Sequence, residues 1–433
     1  MKSVAAMQLL KKHTHFFLLC SSAIRRASQE LDDAFLHTPS EKKLNLLPEQ
    51  EAKQEEAKKV VVLHAFAAKA NPLKAILAVA QRAGLGCETA SIGEFEQALK
   101  VFPPCRIVFD SPVKTTDELR RAVYLPCFLN VDNFQELDRV AQMNTERPIV
   151  ATIGVRINPQ LGAGAIGQLS TALETSKFGI GLKDHRTELV AAFHEHAFLK
   201  MLHVHTGSQG IGLTMMTAGV KAIVSLALEI GVDKVRFIDI GGGLPVNFSS
   251  DEVVPTFQTY ADGLKKEVPE LFDAKNNFGL ITEFGRAIVA KAGVLISRVE
   301  YTKVNGGRRI IQQHIGADLC LRTVWQPENW KLRVDVYDAL GFIKNDSLGE
   351  TDVAGPCCLG GDLVAVKQML PAAVPMEDCV VVKDVGGYYH SSYSFYNLRM
   401  APPVYLFDEE TQELMCINSG QSLESCLSFM GDS

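Results

Sequence analysis

The chain has no cluster of lysine and arginine that forms a basic stripe, and its 433 residues carry a formal net charge of −6. Nucleic acid is therefore not expected as a partner. No apolar run approaches the roughly 20 residues of a membrane span, so no membrane partner is expected either. The ten cysteines lack paired metal-ligand spacing. Cys357 and Cys358 are adjacent, so they form neither an easy disulfide nor a Cys-x-x-Cys redox pair. Reduced thiols in a reducing compartment fit this usage. Internal repeats and low-complexity segments are absent. The first 27 residues lack any acid and hold Lys2, Lys11, Lys12, Arg25 and Arg26. An organelle transit peptide has that composition, and so can the start of a fold.

What the chain has is length and alternation. At 47% hydrophobic and 22% charged it has an ordinary globular composition, long enough for two domains and a large core. Residues 40–59 are polar and charged and read as a solvated loop or helix extension. From Val60 onward, short β-branched runs alternate with helical stretches. Strands are expected at Val60–Ala65, Arg106–Phe109, Phe128–Val131, Ile149–Ile157, Met201–His205, Arg236–Ile240 and Leu280–Glu283. Helices are expected at Leu73–Ala83, Ser91–Leu99 and Thr116–Val123. Such alternation over about 230 residues argues for a parallel β/α barrel. After Gly285 the pattern changes to strand-like runs at Val294–Val299, Arg308–His314, Asp362–Leu363, Val380–Lys383 and Val404–Leu406. A mostly β second domain is expected there.

Three places carry chemistry. Lys69 follows the apolar run Val60–Leu63 in Phe-Ala-Ala-Lys-Ala-Asn-Pro, and the chain turns at Asn71 and Pro72. A lysine at a strand end faces a barrel mouth and suits a Schiff base with an aldehyde cofactor. Gly241, Gly242 and Gly243 follow the strand ending at Ile240, so backbone N–H groups there can approach an anion without Cβ obstruction. His203 and His205 fall on one face of their strand by alternation. They could pair on a metal, but no third ligand is evident, and no metal is expected.

These motifs, with others in the same order, resemble the alanine-racemase-like pyridoxal-phosphate decarboxylases, the family of diaminopimelate and ornithine/arginine decarboxylases. The carriers are Ala-Lys-Ala-Asn-Pro at 68–72, Ser176-Lys177-Phe178-Gly179, His203-Val-His205-Thr-Gly207-Ser208-Gln209, Asp239-Ile-Gly241-Gly242-Gly243 and Glu283-Phe-Gly285-Arg286. Gly355-Pro356-Cys357-Cys358 with Gly361-Asp362, and Asp384-Val-Gly386-Gly387-Tyr388, complete the set. The resemblance implies a (β/α)8 barrel that binds pyridoxal phosphate, plus a mostly β C-terminal domain joined by the N-terminal strand. It divides the chain at 1–27, 28–290 and 291–433, with Thr14–Leu19 as the first strand of the sheet domain and Ser22–Phe35 as the helix after it. That reading is preferred to a transit peptide, and a cytoplasmic enzyme is expected.

The resemblance also implies residue roles. Lys69 carries the cofactor. His205 stacks on its ring, with His203 in support. Gly241, Gly242, Gly243, Ser208, Arg286 and Tyr388 hold the phosphate end. Glu283 lies beside the pyridine nitrogen, where a carboxylate favours the protonated ring and so a stronger electron sink. Racemases of the same barrel place an arginine there. Cys358, in the register of Gly-Pro-x-Cys, donates the proton after CO2 loss, and a head-to-tail homodimer with shared sites follows from that role. The set is a complete decarboxylase machinery, which speaks against a carrier barrel, a dead regulator or a racemase.

The substrate end departs from the family. An acid normally follows the catalytic cysteine and holds the substrate's distal amine; here it is Leu359. Arg322 matches an arginine that binds a distal carboxylate, but Gln326 stands where its tyrosine companion is expected. Glu88 replaces an aspartate, and Phe284 replaces a proline after Glu283. An amino-acid substrate without a simple distal amine is therefore expected, bound by Arg286, Arg322, Leu359 and Gln326. Diaminopimelate, giving L-lysine, is the alternative.

Overall fold

The computed structural model describes residues 3–36, 42–43 and 61–431. Within the polar segment 40–59, only Lys42–Lys43 is described, as a short strand paired with Val61 and Val62; the rest of that expectation lies outside the described residues. The chain forms two compact units, residues 25–246 with 253–288, and residues 1–24 with 247–252 and 289–433.

The first unit is a closed parallel barrel. Its eight strands are Val61–Ala67, Gly86–Thr89, Ile107–Phe109, Phe128–Val131, Thr152–Asn158, Leu199–His203, Phe237–Asp239 and Gly279–Thr282, and the last pairs back onto the first. Seven of these overlap the expected strands. The second barrel strand, Gly86–Thr89, was not anticipated. Its Gly-Cys-Glu-Thr sequence is too short and polar to read as a buried strand, yet all four residues are buried. Leu63, Ala65, Val108, Phe128, Met201 and Ile281 come from five strands and make one buried cluster, with Phe237 packed against it. The barrel interior is thus filled with side chains, and its chemistry is confined to strand ends.

Strand-to-helix turns are set by local caps. Ser91 caps Ile92–Leu99, Asn133 caps Phe134–Glu146 and Thr256 caps Phe257–Glu267. Thr115 and Glu118 form a reciprocal capping box on Thr116–Val123. The helix Leu213–Ile230 is long and apolar enough to cross a membrane by length and composition. Lys221 and Glu229 interrupt its apolar run. Its buried residues Met216, Val220, Ile223, Ala227 and Ile230 recur at helical spacing, as expected for a helix covering a barrel.

The second unit is a mixed β sheet. Gly293–Asn305 pairs antiparallel with Arg308–Gln313, which pairs parallel with Leu348–Ala354, and that pairs antiparallel with Leu363–Pro371. The N-terminal strand His15–Cys20 lies inside this sheet, antiparallel to Gly293–Asn305 and parallel to Val404–Phe407. This is the (β/α)8 barrel plus β domain that the motifs implied, with the N-terminal strand as the join. Residues 15–36 are therefore strand and helix, Ser21–Leu36 being the helix. The helix Ser3–Leu10 was not anticipated; its Ala6 and Leu10 pack on Phe16, Leu18 and Ile296. Strands Val334–Tyr337, Leu348–Ala354 and Leu414–Asn418 were also missed.

Candidate active site

The C-terminal ends of the barrel strands gather the charged residues. Lys69 lies in a single helical turn, Ala68–Ala70, directly after the first strand. Its Nζ donates to Glu88 Oε2 at 2.6 Å, from the second strand. Glu88 is fully buried, and burial pushes its carboxyl up to about 8 against the opposing pull of Lys69; Glu283 and Asp110 push the same way as burial.

Asp110 follows the third strand. Its Oδ2 meets Arg156 Nη1 at 3.3 Å and its Oδ1 lies 3.2 Å from His203 Nδ1. On the other side of the same ring, Nε2 lies 3.4 Å from Glu283 Oε2, just past the eighth strand. Burial alone would raise Asp110, but His203 and Arg156 outweigh it and hold the carboxyl well below the usual range. Burial alone would lower His203, but Asp110 and Glu283 outweigh it and hold the imidazole well above its ordinary value. Asp110, His203 and Glu283 thus bring three metal-type ligand atoms within 4.8 Å, a grouping the sequence reading did not see. Each ring nitrogen of His203 faces one carboxylate oxygen, so the geometry reads as a chain of ion pairs.

His205 behaves differently. Its Nδ1 accepts from the Gly242 N–H at 3.2 Å, which places any ring proton on Nε2. Burial, Lys69 and Arg156 together hold it well below its ordinary value, so it is neutral. The strand-end Asp239 accepts from the Gly241 N–H at 2.9 Å, and the Gly241 carbonyl accepts from the Glu283 N–H at 2.7 Å. A Cβ at 242 would lie 2.0 Å from the Glu283 carbonyl oxygen, and one at 243 would lie 1.9 Å from that of Gly207. Close backbone approach therefore demands the glycines. Arg286 Nη2 reaches Ser208 Oγ at 3.5 Å. Phe284 is buried among Phe35, Phe257 and Tyr260, and its carbonyl accepts from the Ala67 N–H at 3.2 Å. That bond ties the Glu283 turn to the end of the strand that leads into Lys69, through a carbonyl that a proline would also offer.

The structure therefore gathers Lys69, His205, Ser208, Gly241, Gly242, Gly243, Glu283 and Arg286 in the barrel unit. Asp110 and Arg156 join them and were missed; Asp239, quoted with the glycine motif, joins them without having been given a role. Each ends or lies in a strand the sequence reading recognised, and an acid directly after a strand was the available signal for Asp110.

Cys358, Leu359, Arg322, Gln326 and Tyr388 belong to the β unit. Cys358 is exposed; its N–H donates to Asn397 Oδ1 at 2.7 Å and its carbonyl accepts from Tyr396 Oη at 3.1 Å. Cys357 is buried, with its thiol 3.7 Å from Asp318 and pushed up to about 12 by burial. Leu359 closes a tight turn, its N–H donating to the Cys357 carbonyl at 2.7 Å. The Arg322 guanidinium lies over two rings, 5.0 Å from Tyr388 and 5.3 Å from Trp330. Gln326 ends the short helix Leu321–Trp325 that carries Arg322.

The family model for the pyridoxal-binding domain of pyridoxal-dependent decarboxylases matches residues 47–290. The chain belongs to the pyridoxal-dependent decarboxylases. A diaminopimelate decarboxylase from Helicobacter pylori is 31% identical over 366 residues, covering 83% of this chain and 86% of the relative. One from Zymomonas mobilis is 30% identical over 351 residues, covering 78% of each chain. The crystal structure of the H. pylori enzyme complexed with L-lysine matches with a TM-score of 0.82 at 28% identity, covering 98% of both chains. This decarboxylase is accordingly an amino-acid carboxy-lyase whose cofactor is pyridoxal 5'-phosphate.

The barrel residues fit that cofactor. Lys69 supplies an amine, and the glycine loop is a cradle that any Cβ would fill. Glu283 Oε1 is buried without a hydrogen-bond partner among the described residues, which suits a ring N–H.

Proposed function

We propose that this decarboxylase acts on an amino acid whose side chain ends in a neutral or anionic group and lacks a simple distal amine. The observation that carries this reading is Leu359. A buried ammonium facing leucine would lose a charge-assisted hydrogen bond and keep its desolvation cost. Two acids neighbour that turn, and both are engaged. Asp318 pairs with Arg399 at 2.9 Å. Asp362 accepts the N–H groups of Ala317 at 2.6 Å and Cys357 at 2.7 Å. Neither is spare for a substrate cation. Arg322, held over Tyr388 and Trp330, keeps a cation for a distal carboxylate, and Gln326 adds an uncharged donor and acceptor.

The roles we assign are these. Bound pyridoxal phosphate supplies an electron sink for the pair left on the α-carbon when CO2 departs. Lys69 anchors the cofactor, with Glu88 as its neighbour. Glu283 holds a proton at the ring nitrogen, and neutral His205 lies against the ring face. Gly241, Gly242, Gly243, Ser208, Arg286 and Tyr388 bind the phosphate end, with Arg286 also available to the substrate. Cys358 delivers the proton to the α-carbon. We assign Cys358 to the barrel of a second copy, in a head-to-tail homodimer.

The second reading is diaminopimelate decarboxylation to L-lysine. The H. pylori and Z. mobilis relatives carry that name, and Arg322 would serve the distal carboxylate. The test is a panel of amino acids with the purified, cofactor-loaded protein, scored for CO2 and product amine. Faster turnover of substrates with anionic or neutral ends than of meso-diaminopimelate supports the first reading. Efficient turnover of meso-diaminopimelate overturns it.

A further inference from the structure

His203 has no exposed surface, yet neither of its ring nitrogens faces an apolar neighbour. Nδ1 looks at Asp110 at 3.2 Å and Nε2 at Glu283 at 3.4 Å, while Asp110 is closed off behind by Arg156 at 3.3 Å. A charged side chain is rarely buried so deeply without a purpose, because desolvation offsets most of the attraction. An apolar side chain here would leave two buried carboxylates facing each other.

We propose that His203 is a positioning residue that holds the Glu283 carboxylate for the cofactor's ring nitrogen, through the ion-pair chain Arg156–Asp110–His203–Glu283. The proposal rests on the reading of Glu283 given above. Three consequences follow from the chain's geometry. Glu283 Oε2 faces His203 Nε2 at 3.4 Å as an ion pair outside hydrogen-bond geometry, which leaves Oε1, buried and without a hydrogen bond among the described residues, for the ring. The imidazole faces Glu283 in a site that also holds Glu88 and Asp239, whose carboxyls are both pushed up chiefly by burial and further by Glu283. Arg156 and Asp110 fix the imidazole from the far side, so the carboxylate is aimed from a support reaching across the third, fifth and sixth strands. The neutral His205, two residues on, has none of these carboxylate partners in hydrogen-bonding range; its Nδ1 is taken by Gly242.

The test compares binding of two ligands to the apoprotein: pyridoxal phosphate and its analogue with carbon in place of the ring nitrogen. Loss of packing weakens both alike, whereas loss of the Glu283 support weakens only the ligand that carries the nitrogen. The unmodified apoprotein is expected to prefer pyridoxal phosphate by about tenfold or more, the range of one charge-assisted hydrogen bond. In His203→Gln that preference should fall towards unity. A His203→Gln protein that keeps the full preference overturns the proposal and leaves the Glu283 reading standing. An unmodified protein with no preference overturns the Glu283 reading and this one with it. Asp110→Asn keeps His203 in place and removes only its far anchor, so it serves if His203→Gln does not fold. It should narrow the same ratio, and an unchanged ratio counts against the chain.

Discussion

Lys69 Nζ and the Glu88 carboxyl meet at 2.6 Å, with the lysine side chain 35% exposed and the glutamate not at all. A carboxyl with a folded value of about 8 and an unfolded value of 4.5 holds its proton in the native state across that window. Stability from this group is thus complete below the lower value and is lost as pH rises through the upper one. Urea unfolding of the apoprotein should show a midpoint that falls between pH 5 and 8.5, and Glu88→Gln should flatten that fall. Parallel pH profiles for the two proteins would contradict the assignment.

Lys69 should be the residue that borohydride fixes to the cofactor. The loaded protein should absorb visible light, and peptide mapping after reduction should find the label at Lys69 alone. Lys69→Ala should lose turnover by roughly 10³-fold or more, since the anchoring amine is removed. A label on another lysine would sink this reading.

The two adjacent cysteines should separate cleanly. Cys358 is exposed, while Cys357 is buried beside Asp318 with its thiol pushed up to about 12. Cys358→Ala should lower kcat by about 10²- to 10⁴-fold, the range of a general acid, with little change in stability. Cys357→Ala should cost about 1 kcal/mol of stability and far less activity. Greater damage to kcat from Cys357→Ala would show that the loop is read in the wrong register.

Leu359→Asp or Leu359→Glu should raise kcat/KM for ornithine and lysine. A charge-assisted hydrogen bond of roughly 1.5–3 kcal/mol corresponds to about 10- to 150-fold. The unmodified protein should handle those substrates poorly. No gain in either variant, measured against the same panel, would place the substrate's far end elsewhere.

The glycine loop should not tolerate a methyl group. A Cβ at Gly243 would meet the Gly207 carbonyl at 1.9 Å, and the residue has φ +93°. Gly243→Ala should therefore cost about 3 kcal/mol or more and abolish cofactor uptake. Gly212→Ala, where a Cβ meets nothing within 4 Å, should stay within about 0.5 kcal/mol of the unmodified protein. Calorimetry of the three apoproteins decides it.

The sequence by itself determined the architecture and the order of the chemistry. Runs such as Val61–Ala67 and Thr152–Asn158 are rich in β-branched and apolar residues and recur between helices, so local pattern and long-range pairing agree. Lys69, the glycine loop and Glu283 are legible because each follows such a run and must lie at the same end of a parallel barrel. The strand Gly86–Thr89 escaped because burial between two neighbours, not local propensity, makes it a strand. Leu348–Ala354 escaped for a similar reason: Gly349, Glu350, Thr351 and Asp352 take their register from Arg308–Gln313 on one side and Leu363–Pro371 on the other. Only the tertiary structure decided that Asp110, Arg156, His203 and Glu283, from the third, fifth, sixth and eighth strands, make one chain of charge. Its members are 46 or more residues apart in sequence, and a Coulomb interaction depends on distance in space and on the exclusion of water, neither of which is written in the order of residues.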